Sequence, residues 1–157
     1  MTATDQEHHH GDLPAAQLFQ MGLEALEAKK GDAALKFFRS AVEKERQPLY
    51  LSQLALCLAQ VEDEFSASVG LCQEAVKKEP KNSVHFLRLG MIYLYAGQKR
   101  EAIRIFRLGL RLERNPSIIA MLRHLGERQH PVIPFLARSN PLNKYLGKLR
   151  KRLGKAG

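Results

Sequence analysis

The sequence contains few of the residues that define disulfide-rich, zinc-binding or membrane-spanning proteins. It has no Trp and only two cysteines, Cys57 and Cys72, among its 157 residues. Both cysteines lie within helix-like patterns and lack the spacing and the paired Cys or His partners of a zinc finger, so we expect neither a disulfide framework nor a metal site. We expect both thiols to fill a core, in a protein of the reducing cytoplasm. Wholly apolar runs such as 54–59 are too short to span a membrane.

The sequence also lacks recognisable catalytic and targeting motifs. The start, MTATDQEHHHGD, is polar and has neither the basic region nor the apolar stretch of a secretory signal. We expect its three histidines to hold no specific metal. LGKLRKRLGKA, at 146–156, differs from a phosphate-binding loop because Ala156 follows Gly154-Lys155 where Ser or Thr is required. No Ser-His-Asp or paired-carboxylate pattern is evident, so the sequence predicts no enzyme and no cofactor.

Charge is distributed unevenly along the chain. Residues 1–98 hold ten Lys/Arg and thirteen Asp/Glu, a net charge of −3, whereas residues 99–157 hold fifteen and three, a net charge of +12. A charge asymmetry of this size concerns partners and solubility rather than fold.

Two stretches of the chain repeat the same residue types at a fixed distance. Leu18, Gly22, Ala34, Phe38 and Ala41 each have a counterpart 68 residues later, which is twice 34. Between them lies a weaker copy whose second half is displaced by one residue, as if its turn, VEDEF, had gained a residue. The later counterparts are Phe86, Gly90, Ala102, Phe106 and Gly109.

This period predicts two antiparallel helices in each repeat. A small residue on the first helix, such as Gly22 or Gly90, allows the second helix to approach, and a bulky residue such as Phe38 fills the layer. Glycine is expected in the turns KKGD (29–32) and YAGQ (95–98). Prolines are expected between repeats, where a helix must stop; they are Pro48, Pro80 and Pro116.

The pattern resembles that of tetratricopeptide repeat proteins, with three repeats at about 15–48, 49–81 and 82–116. The third copy, FLRLGMIYLYAGQKREAIRIFRLGLRLE, matches best. Leu18 and Phe86 stand where the family often has Trp, and Gly109 replaces the usual Ala. The resemblance implies an all-α fold, a right-handed superhelix of helical hairpins.

The predicted domain organisation follows from these repeats. Residues 1–13 are a flexible leader, and residues 14–129 hold the three repeats and a capping helix, 117–129, with Ser117 as its N-cap. Residues 130–157 begin with an extended apolar crossing, PVIPFL, and end in a basic amphipathic helix. That helix has three open roles: a cap on the repeats, a contact with nucleic-acid phosphates, or a contact with anionic lipid.

In this family the first helices of successive repeats line a concave groove that holds an extended peptide or a partner helix. The resemblance implies the same groove here, largely apolar. Members that clamp the carboxylate of heat-shock chaperones carry Lys and Asn at positions that here hold Phe19, Leu23 and Gln53, and only Arg88 fits, so we expect no such clamp. The expected groove residues are Phe19, Gln20, Leu23, Gln53, Leu56, Gln60, Leu87, Arg88, Met91 and Tyr95.

Three functions remain open on the sequence. The first is an adaptor or chaperone-like scaffold that binds a polypeptide in the groove; the small class II chaperones of bacterial type III secretion are similar in size, although the basic C-terminal half fits them poorly. The second is a nucleic-acid- or ribosome-associated protein. The third is a self-associating module or homodimer whose groove its own chain fills. The basic face of the second hypothesis comprises Arg104, Arg107, Arg111, Lys144, Lys148, Arg150, Lys151 and Arg152.

Overall fold

A computed structural model of the protein describes residues 13–126, and every regular element within that range is an α-helix. Its contacts divide the chain into two compact units, Met1–Leu122 and Arg123–Gly157, and of the second unit only residues 123–126 are described. The seven helices are α1 (Ala15–Glu27), α2 (Gly31–Lys44), α3 (Pro48–Val61), α4 (Phe65–Lys78), α5 (Ser83–Tyr95), α6 (Lys99–Leu112) and α7 (Pro116–Gly126).

The first six helices pack as three hairpins, α1 with α2, α3 with α4, and α5 with α6. Within each hairpin, the turn contains one residue in the left-handed region of backbone space: Lys29 (φ 57°), Asp63 (φ 56°) and Gly97 (φ 72°). These residues lie 34 positions apart. Only the third turn uses a glycine for this conformation, so the expected role of glycine in the KKGD turn is wrong. Gly31 begins α2 instead, and a Cβ there would lie 2.9 Å from Val61 Cγ2.

Helix α3 accounts for the irregular middle copy. It has 14 residues, whereas α1 and α5 have 13 each, and a three-residue turn follows all three helices. The turn VEDEF has therefore not gained a residue, which corrects the sequence interpretation. Pro48 is the first residue of α3, a position where proline loses no backbone hydrogen bond because the N–H there has no helical partner.

Helix α7 begins in the same way. Its first residue is Pro116, and Asn115 Oδ1 accepts hydrogen bonds from the backbone N–H groups of Ser117 (3.0 Å) and Ile118 (3.2 Å). The N-cap is therefore Asn115 and not Ser117. Both Pro48 and Pro116 start a helix instead of following the end of one. The predicted last residues of this helix, 127–129, and the whole of 130–157 lie outside the described residues, as does the leader through residue 12.

Small residues set the distance between helices. Gly109 on α6 faces the Cβ of Phe86 on α5 and the side chain of Ile118 on α7, and a Cβ at Gly109 would lie 2.8 Å from both. This close approach explains why the alanine usual at this position is replaced by glycine. Ile118 is fully buried there and is the one buried residue of α7.

Candidate functional site

The ten expected groove residues all lie on the first helices of the hairpins, α1, α3 and α5. Their accessibility differs. Phe19, Gln53 and Leu56 are buried, with at most 9% of their surface exposed. The accessible remainder, called here the first-helix face, comprises the exposed Gln20, Gln60 and Tyr95 and the half-buried Leu23, Leu87, Arg88 and Met91.

Phe19 belongs to the core and does not line an open surface. Its ring stacks on that of Tyr50, with 4.5 Å between the ring centroids and 28° between the planes, and lies 5.4 Å from the ring of Phe38. Aromatic pairs at such distances contribute beyond their buried area. The contact with Tyr50 joins α1 to α3 on the side where a ligand was expected.

Helix α3 is buried on all sides because it has neighbours on each. Its residues from Tyr50 to Ala59 are all buried, including Gln53 and Leu56. A helix that is apolar around its whole circumference is typical of a central position. The sequence reasoning assigned one face of α3 to a ligand, whereas most of that face packs against α5.

Polar contacts join α3 to α5 at the two ends of this packed region. At one end, Gln60 Nε2 donates to the Tyr95 hydroxyl at 2.6 Å. At the other, Arg88 Nη1 donates to Ser52 Oγ at 2.8 Å and to the Leu49 carbonyl at 3.5 Å. Burial lowers the pKa of the Arg88 guanidinium, which remains charged at neutral pH.

A buried hydrogen-bonded chain continues from Arg88. His85 Nδ1 lies 2.9 Å from Ser52 Oγ, and His85 Nε2 lies 2.7 Å from Glu79 Oε2. Ser52 and His85 are fully buried, whereas the Glu79 side chain is 45% exposed. The hydrogen bond from His85 lowers the pKa of the Glu79 carboxyl.

Ser52, His85 and Glu79 form the same kinds of hydrogen bond as a hydrolase triad, but Ser52 is not accessible to a substrate. A nucleophile must reach a substrate carbonyl, and Ser52 Oγ is enclosed and accepts a hydrogen bond from Arg88. The hydrogen-bonded chain of Ser52, His85 and Glu79 was not predicted from the sequence. The available signal was a polar Ser52 and a polar His85 at positions that the helical period places inside.

Most of the expected basic face lies outside the described residues, since its five members beyond residue 126 are there. Arg104, Arg107 and Arg111 are exposed on α6, opposite its buried side. Arg104 Nε bonds to Glu101 Oε2 at 2.8 Å. Arg107 and Arg111 form no ion pair with any residue in 13–126.

Comparison with known proteins identifies the fold. No protein-family model and no curated protein sequence matches the chain. The tetratricopeptide repeat domain of Arabidopsis OM64 is similar with a TM-score of 0.62, over 72% of this chain and 94% of that one, at 22% identity. The first such domain of Spaghetti (RPAP3), bound to the HSP90 peptide SRMEEVD, gives 0.61 over 72% and 90%, at 19% identity. The Sgt2 domain from Aspergillus fumigatus gives 0.62 over 83% and 93%, at 16% identity. The protein has the tetratricopeptide repeat fold.

The sequence-based prediction of an all-α superhelix of helical hairpins is confirmed. Across residues 13–126 of this domain, no three His, Cys, Asp or Glu side chains lie close enough to hold a metal ion. None of its helices in that range is long and apolar enough to cross a membrane.

Proposed function

We propose that the protein is a non-enzymatic adaptor that holds a polypeptide segment against the first-helix face. The main support for the proposal comes from the boundary between α3 and α5, called here the seam. There a half-buried Arg88 and an exposed Tyr95 flank the half-buried Leu87 and Met91. Apolar side chains beside a few fixed polar groups are typical of surfaces that bind extended peptides.

The polar groups of this seam suit the backbone of a bound segment. The Tyr95 hydroxyl already accepts from Gln60, so its own proton is free to donate to a peptide carbonyl. Arg88 engages one guanidinium nitrogen with α3, and within residues 13–126 its other nitrogens make no hydrogen bond. Leu87 and Met91 would contact apolar side chains of the same segment, and Leu23 would extend this contact to α1.

Solved structures of the same fold support a role in binding polypeptides. The first Spaghetti domain is bound to an HSP90 peptide, and the second domain of human RPAP3 is in complex with the HSP70 peptide SGPTIEEVD. Those ligands belong to those proteins. The present face differs from a carboxylate clamp, since Phe19 and Gln53 are buried and Leu23 is apolar. We therefore propose a partner segment held by apolar contacts and not by its terminal carboxylate.

The proposal can be tested by selecting peptides from a displayed random library on the immobilised full chain. Binding of a selected peptide is then measured by fluorescence anisotropy with the wild type, Met91→Glu and Ile103→Glu. Both substitutions place a carboxylate at a half-buried aliphatic position, one on α5 and one on α6. We expect Met91→Glu to weaken binding at least tenfold and Ile103→Glu to leave it unchanged. Equal affinity for the Met91→Glu variant and the wild type would contradict the proposal.

A second candidate function is supported by the outward face of α6. Arg100, Arg104, Arg107 and Arg111 recur every three or four residues and are all exposed. Such a row can contact the phosphates of a nucleic acid, and each contact weakens as salt concentration rises. An electrophoretic mobility shift with a random-sequence RNA duplex tests this function. Arg107→Glu/Arg111→Glu should abolish a shift that Met91→Glu retains, and no shift at low salt would contradict it.

A further inference from the structure

Arg88 is hydrogen-bonded to Ser52, the first residue of a hydrogen-bonded chain that continues through His85 to Glu79. Its nitrogen Nη1 donates to Ser52 Oγ at 2.8 Å, and Ser52 Oγ lies 2.9 Å from His85 Nδ1. His85 Nε2 in turn lies 2.7 Å from Glu79 Oε2. These contacts connect α3, α5 and the loop after α4, so they join the second hairpin to the third.

We propose that Ser52, His85 and Glu79 are positioning residues that fix the Arg88 guanidinium at one place on the first-helix face. The inference rests on the proposed function only for the use of Arg88, which is to contact a bound polypeptide. A free arginine on a helix surface must lose rotamer freedom when it binds, at a cost that a prior restraint removes. The hydrogen-bonded chain of Ser52, His85 and Glu79 would therefore hold Arg88 in position to donate before a polypeptide binds.

The proton inventory of the chain supports a fixed arrangement. The Glu79 carboxylate only accepts, so His85 Nε2 carries the proton between them. The Ser52 hydroxyl has one proton to donate, and both the Leu49 carbonyl, at 3.2 Å, and His85 Nδ1, at 2.9 Å, lie within hydrogen-bond distance of Oγ. Arg88 can only donate, so Ser52 Oγ accepts its hydrogen bond whichever of the two groups receives the hydroxyl proton. Within residues 13–126 no buried side-chain nitrogen or oxygen lacks a hydrogen-bond partner.

The burial of Ser52 and His85 limits the other hydrogen bonds that these two side chains could form. Ser52 and His85 are both fully buried, so neither can exchange its partner for water. Removing one member would leave a buried polar group unsatisfied, and the remaining groups would seek new partners. Without the Ser52 hydroxyl, Arg88 would be bonded only by the longer contact to the Leu49 carbonyl at 3.5 Å.

Nitrogen NMR of the arginine side chains in the ¹⁵N-labelled full chain tests the inference. A guanidinium restrained by hydrogen bonds rotates slowly and gives separate Nη signals, whereas a free one gives exchange-averaged signals. Arg88→Lys assigns the signals of Arg88. We expect separate Arg88 signals in the wild type and their loss in Ser52→Ala, with retention in Ser52→Thr, which keeps the hydroxyl.

The matched control is Ser68→Ala. Ser68 is also a fully buried serine, and its hydroxyl bonds to the Glu64 carbonyl at 2.7 Å, away from Arg88. We expect this variant to keep the Arg88 signals, so that a general loss of packing is distinguished from loss of the restraint. Averaged Arg88 signals in the wild type, or retained signals in a folded Ser52→Ala, would overturn the inference.

Glu79→Gln tests the end of the hydrogen-bonded chain that lies farthest from Arg88. Glu79 is exposed, so we expect this variant to fold. Its amide lacks the negative charge that holds His85, so we expect the Arg88 signals to broaden. Unchanged signals would remove the Glu79 carboxylate from the proposal and overturn it as stated. No partner is present in these experiments, so their failure would leave the proposed function standing. A protein that binds no peptide would likewise leave the restraint on Arg88 intact.

Discussion

Gly90 and Phe106 are packed so closely that Gly90 has no room for a Cβ. A Cβ on Gly90 would overlap Cε1 of the Phe106 ring, and Phe106 is fully buried. The same relationship occurs 68 residues earlier, where a Cβ on Gly22 would lie 2.5 Å from Cε1 of Phe38. This contact sets the spacing of the two helices in the first and third hairpins.

The first prediction concerns Gly90→Ala. Alanine favours a helix over glycine by about 1 kcal/mol, but overpacking a core costs about 1–3 kcal/mol. Because the clash involves three atoms of a buried ring, we expect the cost to exceed the gain and the free energy of unfolding to fall by about 1–2 kcal/mol. Urea denaturation followed by circular dichroism measures the change.

Gly70→Ala is the matched control for this experiment. Gly70 is an exposed glycine within α4, and a Cβ there would meet nothing within 4 Å. We expect this variant to be more stable than the wild type by up to about 1 kcal/mol. If both variants shifted in the same direction, the contact between Gly90 and Phe106 would not control the packing of this hairpin.

The second prediction concerns the reactivity of the two thiols. Burial raises the pKa of Cys57 to about 11 and that of Cys72 to about 12, and both cysteines are free. Only the thiolate attacks a disulfide reagent, so both side chains should react slowly in the folded protein near neutral pH. Reaction with a chromogenic aromatic disulfide should be fast for both in urea. A thiol that reacts in the folded protein as fast as in urea would disprove its burial.

The third prediction concerns acid sensitivity at Glu79. The hydrogen bond from His85 holds the folded-state pKa of Glu79 below its ordinary value of 4.5. A lowered folded pKa stabilises the protein above the unfolded value, and this contribution is lost as the pH falls through the folded pKa. Because the side chain is 45% exposed, solvent screening limits the effect to below about 1 kcal/mol.

Denaturation midpoints at about pH 6 and about pH 3.5 measure this dependence. Glu79→Gln should lose stability mainly at the higher pH, which would flatten the profile. Glu43→Gln, at an exposed glutamate on α2, serves as the control and should leave the profile unchanged. A Glu79→Gln profile as steep as that of the wild type would show that this carboxylate has no part in it.

The period of 34 residues predicted the helices and their pairing, because small and bulky residues recur where packed helices require them. It did not predict which turn residue takes the left-handed conformation, since Lys29 and Asp63 do so without being glycine. Nor did it predict how much of α3 is buried. An apolar stripe looks alike in sequence whether a ligand or a neighbouring helix covers it, and Leu56 is covered by the latter.

The polar part of the site was predicted least well. Arg88 and Tyr95 were assigned to the groove by resemblance, whereas the partners that hold Arg88 come from elsewhere in the chain. Glu79 lies in the loop after α4, and His85 is buried on α5. The period of 34 residues does not predict that either belongs to a hydrogen-bonded chain with Ser52. The positions of the tail cations, Lys144 to Arg152, stay predictions.

The fourth prediction concerns the HSP90 peptide SRMEEVD, to which the Spaghetti domain is bound. We expect this protein to bind it at least tenfold more weakly than that domain does, because the clamp positions hold the buried Phe19 and Gln53 and the apolar Leu23. Fluorescence anisotropy with a labelled peptide measures both affinities side by side. Equal affinity would show that Arg88 and other groups form a carboxylate site after all.

Methionine methyl NMR tests the central claim most directly, because the described methionines lie on three different helices. Met21 is on α1, Met91 on the first-helix face of α5, and Met121 on α7. With ¹³C-methyl methionine in the full chain, a peptide selected on the protein should shift the Met91 signal and leave that of Met121 in place. A peptide that binds and shifts Met121 while Met91 stays unchanged would contradict the account.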